Sequence, residues 1–169
     1  IIELACCCGL PQAEAKNILN PEITSTYGLG LLIKDAIHND CKKIILGLGG
    51  SSTNDCGCGI AYALGTKFYD DKNQIFCPTG NNLCKINKID ISQTKELLKD
   101  IDVIAMCDIE KPLYGNTGAA YVYAPQKGAN QEQVESLDKG LQHIANIILK
   151  DLQIDVQKIS GSGAAGGCG

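Results

Sequence analysis

One stretch, Lys43 to Asp55, limits the folds open to this 169-residue chain more than any other. It begins with the apolar run Ile44 to Leu48, whose β-branched residues and lack of charge indicate a buried strand. The run ends in Gly49-Gly50, and a helix-like pattern starts again at Ile60. A strand, a glycine turn and a helix start present free backbone N–H groups, so this order is typical of a loop that binds an anion.

The residues after the glycines add side-chain chemistry to the loop. Gly49 and Gly50 let a ligand approach the backbone closely, and Ser51, Ser52 and Thr53 each carry a hydroxyl donor. Asn54 and Asp55 follow. A carboxylate beside an anion site suits phosphoryl transfer if it holds Mg²⁺ or takes a proton. The alternative is a purely structural turn in which Asn54 or Asp55 caps the next helix.

A second hydroxyl cluster, Thr24 to Thr26, precedes an apolar run of helical spacing from Leu29 to Ile37. The pattern predicts a helix that these hydroxyls cap, and this interpretation is favoured. The alternative is a second set of hydroxyls facing a ligand at a helix N-terminus.

Two further charged residues are candidates for the same site. The second apolar strand, from Ile101, ends at Asp108, and ligands of open α/β sheets collect at the carboxyl ends of strands. We therefore expect Asp55 and Asp108 to lie where a metal ion or a hydroxyl is held. Lys127, in the turn after Pro125, is either a solvated charge or a phosphate or carboxylate contact.

The remaining pattern predicts an α/β fold with a mixed sheet and flanking helices, in one unit spanning 1–169. Residues 66–70 and 75–78 read as two arms of a hairpin, and Tyr121-Val122-Tyr123 as a short strand. The clearest helix runs from Gln131 to Leu149.

Composition excludes several classes of function. The 15 basic residues are all lysine, are scattered, and are outnumbered by 19 acidic residues, so nucleic acid is not an expected partner. No apolar run approaches the ~20 residues that span a bilayer, and no signal peptide is visible. We expect a cytoplasmic protein without a membrane partner. The chain begins inside an apolar run and stops in a glycine-rich loop, so we also expect a piece of a longer protein.

Ten cysteines are many for this length, but no C-x-x-C pair is present. The favoured interpretation is reduced thiols packed as small hydrophobic groups. A cysteine-rich metal or redox module is the alternative.

Five motifs in order strongly resemble the bacterial glycerate kinase family. They are Thr24-Ser25-Thr26-Tyr27-Gly28, Gly49 to Asp55, Cys107-Asp108 with Pro112-Leu113-Tyr114-Gly115, Pro125-Gln126-Lys127-Gly128, and Gly163-Ala164-Ala165-Gly166-Gly167. The resemblance covers essentially the whole chain. It implies ATP- and Mg²⁺-dependent phosphorylation of D-glycerate by a protein about twice as long. This chain then corresponds to the domain inserted into a flavodoxin-like domain, without the family's N-terminal lysine segment.

The resemblance implies roles for individual residues. Gly49, Gly50, Ser51, Ser52 and Asn54 are expected to hold phosphate or the glycerate carboxylate. Asp55 is the candidate general base, and Asp108 the candidate Mg²⁺ ligand or second orienting group. Thr24, Ser25 and Lys127 are expected near the substrate carboxylate. Without the missing remainder of its own chain, this chain is expected to be inactive, and a homodimer is possible. A non-catalytic domain that binds a small anion is the alternative.

The family pattern has small residues where this chain has Cys56 and Cys58. If either position needs a positive φ, we expect strain in the loop after Asp55.

Overall fold

The computed structural model describes residues 1 to 169 and contains six strands and seven α-helices. The strands are β1 (Ile2–Glu3), β2 (Lys43–Gly47), β3 (Lys67–Tyr69), β4 (Ile75–Phe76), β5 (Lys88–Asp90) and β6 (Asp102–Met106). The α-helices are α1 (Ala5–Cys8), α2 (Leu10–Ala15), α3 (Tyr27–His38), α4 (Cys58–Ala63), α5 (Ser92–Leu97), α6 (Ala119–Tyr123) and α7 (Gln131–Leu152). Short 3₁₀ turns cover Gly80–Lys85, Pro125–Lys127, Val156–Lys158 and Ala164–Gly166.

The predicted buried strand is the centre of a parallel sheet. β2 lies between β1 and β6, with Leu46 opposite both Ile2 and Ala105. Ile44 and Leu46 are buried, as their apolar run predicts. Because all three strands run in the same direction, their carboxyl ends meet at one edge, and the loops that carry Gly49 and Asp108 leave the sheet there.

A second sheet contains the predicted hairpin. β3 pairs antiparallel with both β4 and β5, in the order β4-β3-β5. The predicted α/β class with flanking helices is therefore confirmed, with the parallel and antiparallel strands in two separate sheets.

Each sheet has its own apolar core. Leu4, Leu29, Ile33 and Ile44 are central to the first core, where α3 packs near the parallel sheet. The second core lies along α7, whose buried residues recur at helical spacing and face the antiparallel sheet and α6. Asn130 and Gln133 form a capping box that starts α7, which then runs three residues beyond the predicted Leu149.

The predicted strand at Tyr121-Val122-Tyr123 is wrong, because these residues belong to α6. Aromatic and β-branched residues favour strands only weakly, and packing overrides that preference. Ala119 and Ala120 are fully buried in the second core, so this segment packs as a short helix.

No helix in the structure has both the length and the apolar character needed to cross a membrane.

Candidate anion-binding site

A small cavity opens at the carboxyl ends of the parallel strands. Its volume is about 130 Å³, below the roughly 300–1,000 Å³ of sites for drug-sized ligands. Five predicted site residues line it: Gly49, Gly50, Ser51, Asp108 and Lys127. Leu48, Ile109, Tyr123, Gln126, Ala164 and Ala165 complete the wall. The cavity therefore suits a small anion and brings together four segments that are far apart in the sequence.

Lys127 is the main electrostatic feature of this cavity. Its side chain is only 2 % exposed, and its Nζ donates to Ser51 Oγ at 2.9 Å and to the Thr53 carbonyl at 2.6 Å. No carboxylate lies within salt-bridge distance of this ammonium. Burial lowers the pKa of Lys127 to about 8. An ammonium carries three N–H donors, so one remains for a ligand.

The glycine loop adds backbone donors to the same wall. The N–H groups of Gly49, Gly50 and Ser51 donate to no acceptor within the protein. The loop is held on either side of them, because Leu10 N donates to Gly50 O at 2.8 Å and Ser52 N donates to Cys8 O at 2.8 Å. Unpaired N–H groups on a fixed loop beside a buried ammonium form a preorganised anion site.

Asp108 is exposed and lies where this cavity meets a wider groove. The groove, of about 530 Å³, runs along the strand ends and is also lined by Glu3, Gly47 and Met106. Its size falls in the range of sites for larger ligands. No group of three or more His, Cys, Asp or Glu side chains is arranged to hold a metal ion. Mg²⁺, however, is commonly held by one or two carboxylates plus substrate phosphates, a demand that Asp108 fits.

Asp55 does not line the cavity and is fully buried. Its Oδ2 accepts from Thr26 N at 2.8 Å, Thr26 Oγ1 at 2.9 Å, Ser25 Oγ at 3.3 Å and Gly59 N at 3.3 Å, whereas Oδ1 has no partner. Burial raises the pKa of Asp55, and these hydrogen bonds oppose the rise. A Cβ at Gly59 would lie 2.9 Å from this Oδ2, so a glycine is required there.

The predicted hydroxyl groups around Thr24 are engaged inside the protein. Thr24 Oγ1 donates to Ser52 O at 2.6 Å, and Ser52 Oγ donates to Cys8 O at 2.9 Å. Thr24, Ser25 and Ser52 line a different cavity, of about 170 Å³, bordered by Gln12 and Lys16. The favoured prediction that the hydroxyls cap α3 is confirmed in part. Ser25 Oγ accepts from the N–H of Tyr27, the first residue of α3, at 3.2 Å. Thr26 makes no side-chain capping bond, and its hydroxyl reaches Asp55 instead. The alternative interpretation of the Gly49 to Asp55 stretch, a structural turn in which Asp55 caps the next helix, is partly correct. Asp55 accepts a hydrogen bond from the N–H of Gly59 in the first turn of α4.

Asn54 is buried beneath the loop, and neither of its side-chain polar atoms has a partner. Thr53 Oγ1, beside it, is also unpartnered. Such groups are uncommon in native proteins, and ordered water or a ligand commonly satisfies them. Asn54 thus keeps an unpartnered amide three residues after Ser51 on the loop that borders the cavity.

The last glycine loop packs on the first. Gly166 has φ +76°, and a Cβ there would lie 2.8 Å from Asn54 Cα. Gly166 O accepts from Cys56 N at 3.0 Å. Cys56 itself has φ +55°, so the expected strain falls on this position, while Cys58 begins α4.

Sequence reasoning missed several wall residues. Tyr123 and Gln126 flank Lys127, and Ala164 and Ala165 come from the last glycine loop. The Pro-Gln-Lys-Gly and Gly-Ala-Ala-Gly-Gly motifs marked both segments, but no pattern identified which of their residues face a ligand. Thr26, the main partner of Asp55, was treated only as a helix cap.

All ten cysteines are free thiols. Burial raises the pKa of the thiols of Cys8, Cys56, Cys58 and Cys168. Raised thiol pKa values disfavour the thiolate, which is the reactive and metal-binding form. Burial therefore disfavours a metal-binding or redox role for these four thiols.

Known proteins similar to this chain belong to the family that the five sequence motifs resemble. The profile of the glycerate kinase family matches residues 1–169. The chain is 46 % identical to a glycerate kinase of Bacillus cereus, with 99 % of this chain and 44 % of that protein covered. It is 40 % identical to the glycerate 2-kinase of Escherichia coli, again over 99 % of this chain and 44 % of that protein. A crystal structure assigned as a glycerate kinase 2 from Salmonella typhimurium LT2 superposes with a TM-score of 0.94 at 39 % identity, covering 99 % of this chain and 45 % of that one. The chain thus spans less than half the length of these relatives.

Proposed function

This chain belongs to the glycerate kinase family, and on that premise we propose that the full-length polypeptide transfers a phosphoryl group from ATP to a hydroxyl of D-glycerate. The residues described above supply its anion-binding cavity. The relatives named as glycerate kinases and glycerate 2-kinase support this assignment. Because this chain covers less than half of each, we propose that it binds ligand but does not turn over without the remainder of the polypeptide.

The buried ammonium of Lys127 carries the proposal. A buried charge is costly unless it is paired, and Lys127 has hydrogen-bond acceptors but no carboxylate partner. A phosphoryl group or a carboxylate in the cavity would provide the missing counter-charge. Such a group would also accept from the N–H groups of Gly49, Gly50 and Ser51, which point to no protein acceptor.

The two connected spaces suit the two substrates. The small cavity at Lys127 has room for the transferred phosphoryl group or for glycerate, and the adjoining groove has room for a nucleotide. Gly49, Gly50 and Asp108 line both spaces, so the donor and acceptor would meet at the glycine loop. Phosphoryl transfer depends mainly on positioning and charge neutralisation, which this arrangement provides.

Asp108 is the residue proposed to hold Mg²⁺. When bound, the ion would neutralise charge on the phosphates of the nucleotide. Asp108 itself lies at the junction of cavity and groove, and its carboxylate forms no salt bridge within the chain.

Asp55 remains the proposed general base. Because its carboxylate is buried, the substrate proton needs a path to it. Ser25 is the half-exposed partner of this carboxylate. Ser25 borders a different cavity from the one proposed for glycerate, so transfer of the glycerate proton to Asp55 would require movement at the start of α3. Thr24 and Ser52 act in this account by fixing the glycine loop. Asn54 is proposed to contact ligand through its unpartnered amide.

The test is an assay of ADP release by the full-length polypeptide with ATP, Mg²⁺ and D-glycerate. We expect turnover in the wild type and a higher Mg²⁺ requirement in Asp108→Asn. The matched control is Asp100→Asn, an exposed aspartate away from the cavity. A folded full-length protein that releases no ADP with D-glycerate would contradict the proposal.

A second function, binding of small anions by this chain alone, is favoured by the completeness of the small cavity. Its buried ammonium, Lys127, and its unpaired backbone donors at residues 49 to 51 all belong to this chain. The ADP assay distinguishes the two functions. If this chain only binds small anions, it will bind phosphate, but the full-length protein will release no ADP.

A further inference from the structure

Ser51 and Lys127 have the geometry of a nucleophile and its base. Lys127 Nζ lies 2.9 Å from Ser51 Oγ, within the hydrogen-bond reach that such pairs require. A second bond, from Nζ to Thr53 O at 2.6 Å, fixes the amine in place. Both side chains line the cavity, although Ser51 is only 3 % and Lys127 2 % exposed. Serine paired with lysine is one of the recurring variants of the serine–base arrangement.

The surroundings of Lys127 favour release of its proton. No carboxylate forms a salt bridge with it, and burial lowers its pKa to about 8. Asp55, Cys8 and Cys168 each raise the pKa of Lys127 against this lowering, and Asp108 and Tyr123 line the same cavity. A neutral amine can still donate one N–H to Thr53 O while its lone pair accepts from the Ser51 hydroxyl.

The glycine loop provides donors for charge that develops on a ligand. The N–H groups of Gly49 and Gly50 have no acceptor in the protein and precede Ser51 directly. Preorganised backbone donors of this kind stabilise oxyanions in acyl and phosphoryl transfer.

We infer that Ser51 is a nucleophile activated by Lys127 and that it accepts a phosphoryl group from a phosphoric anhydride, forming phosphoserine. Ser51 Oγ forms the new bond to phosphorus as the bond to the leaving group breaks. The hydroxyl proton passes to the Lys127 amine, and the leaving group departs with the electron pair. In the full-length enzyme the donor is ATP, and ADP leaves. In a second step, which rests on the proposed function, a hydroxyl oxygen of glycerate forms a bond to phosphorus as the bond to Ser51 Oγ breaks. The Lys127 ammonium returns its proton to Ser51 Oγ, and the proposed base Asp55 takes the proton of the glycerate hydroxyl.

The experiment uses this 169-residue chain with acetyl phosphate, a small donor whose leaving group is acetate. Peptide mass spectrometry is expected to find one phosphoryl group, on Ser51. With acetyl phosphate at saturating concentration, the rate of modification should rise as the pH is raised from 6 through about 8 and then level off, because the neutral fraction of Lys127 grows through its pKa. Modification elsewhere only, or a folded chain without modification at Ser51, overturns the inference.

Two variants separate the roles. Lys127→Arg keeps the positive charge but cannot release a proton, so the rate at Ser51 is expected to fall at least a hundredfold while sulfate still binds. The controls Lys150→Arg and Ser136→Ala change exposed residues of α7 and should leave the rate unchanged. An unchanged rate in folded Lys127→Arg overturns the inference. If that variant does not fold, the pH profile of the wild type decides. Glycerate turnover is not measured here, so the proposed function can fail or stand independently.

Discussion

The ammonium of Lys127 lies 2.9 Å from the hydroxyl of Ser51, although 76 positions separate the two residues in the chain. The contact joins the Pro-Gln-Lys-Gly turn to the glycine loop that follows β2. Residues of these two sequence motifs therefore lie side by side in the wall of the small cavity.

Anion binding is expected to weaken as the pH rises through about 8. The pKa of Lys127 is lowered by burial to about 8, so the ammonium is lost above that value in the free chain. Sulfate is the suitable probe, because its own charge does not change in this range. Calorimetric titration should show a loss of affinity between pH 7 and pH 9. An affinity that stays constant over this range would contradict the assignment of Lys127 as the binding cation.

The lowered pKa of Lys127 weakens anion binding as the pH rises, but it makes the free energy of unfolding of the free chain increase with pH. Between about pH 8 and the unfolded value of 10.5, the unfolded state binds more protons at this residue, so Lys127 makes the free energy of unfolding rise with pH. Buried thiols oppose this above pH 9, since their raised pKa values make the native state hold protons that the unfolded state loses. We therefore expect Lys127→Met to remove an upward slope of stability between pH 8 and 9, measured by urea denaturation against Lys150→Met. Identical slopes in the two variants would contradict the burial of an unpaired ammonium.

Asp55→Asn is expected to separate stability from activity. Burial raises the pKa of Asp55, so its contribution to stability is full at low pH and is lost as the pH rises through the folded pKa. At pH 7 the uncharged asparagine should make this chain at least as stable as the wild type. Turnover by the full-length enzyme should fall about 10²- to 10⁴-fold if Asp55 is the base. Turnover within tenfold of wild type would rule out the base role, whatever the stability.

Cys56 tests the strain in the loop. Its φ of +55° is disfavoured for any residue with a Cβ, and more so for a β-branched one. We expect Cys56→Gly to change the free energy of unfolding by less than about 1 kcal/mol, and Cys56→Val to lower it by about 2 kcal/mol more than the glycine variant does. Thermal denaturation of the pair measures the difference, and equal stabilities would show that the loop adopts another backbone conformation.

Thr24→Val tests whether the predicted ligand hydroxyls act by holding the loop. The change removes the 2.6 Å bond to Ser52 O and should cost about 1 kcal/mol of stability. Sulfate affinity should fall by a few-fold, because the loop that carries Gly49 to Ser51 is less fixed. Thr24→Ser keeps the hydroxyl and should restore both properties, and Thr117→Val, at an exposed position, is the control. Loss of sulfate binding without loss of stability would instead favour a direct contact by Thr24.

The strands and loops that form this site could be predicted from the sequence, but the long-range side-chain contacts between them could not. The apolar run before Gly49 and the one before Asp108 could be assigned as strands because short apolar runs rich in β-branched residues leave a local signal, although only the first of these strands has buried residues. Parallel pairing then placed both loops at one edge. Nothing local could show that Lys127 is buried, since a lone lysine in a turn is usually solvated, and its burial depends on contacts 74 and 76 positions away.

Local reasoning also missed the main partner of the hydroxyl cluster. A Thr-Ser-Thr run before a helix is a normal capping signal, and nothing in it indicates that Thr26 holds Asp55, 29 positions away. The helical Tyr121-Val122-Tyr123 segment was missed for a similar reason, since packing of Ala119 and Ala120 in the core decides its conformation.

The most direct measurement is calorimetric titration of this chain with sulfate at pH 7, comparing the wild type with Lys127→Met and with Lys150→Met. We expect one sulfate-binding site in the wild type and in Lys150→Met. Affinity should be at least about tenfold weaker in Lys127→Met, because a charged hydrogen bond contributes roughly 1.5–3 kcal/mol. Equal binding by folded Lys127→Met, or no binding by the wild type, would contradict the assignment of this cavity as the anion site.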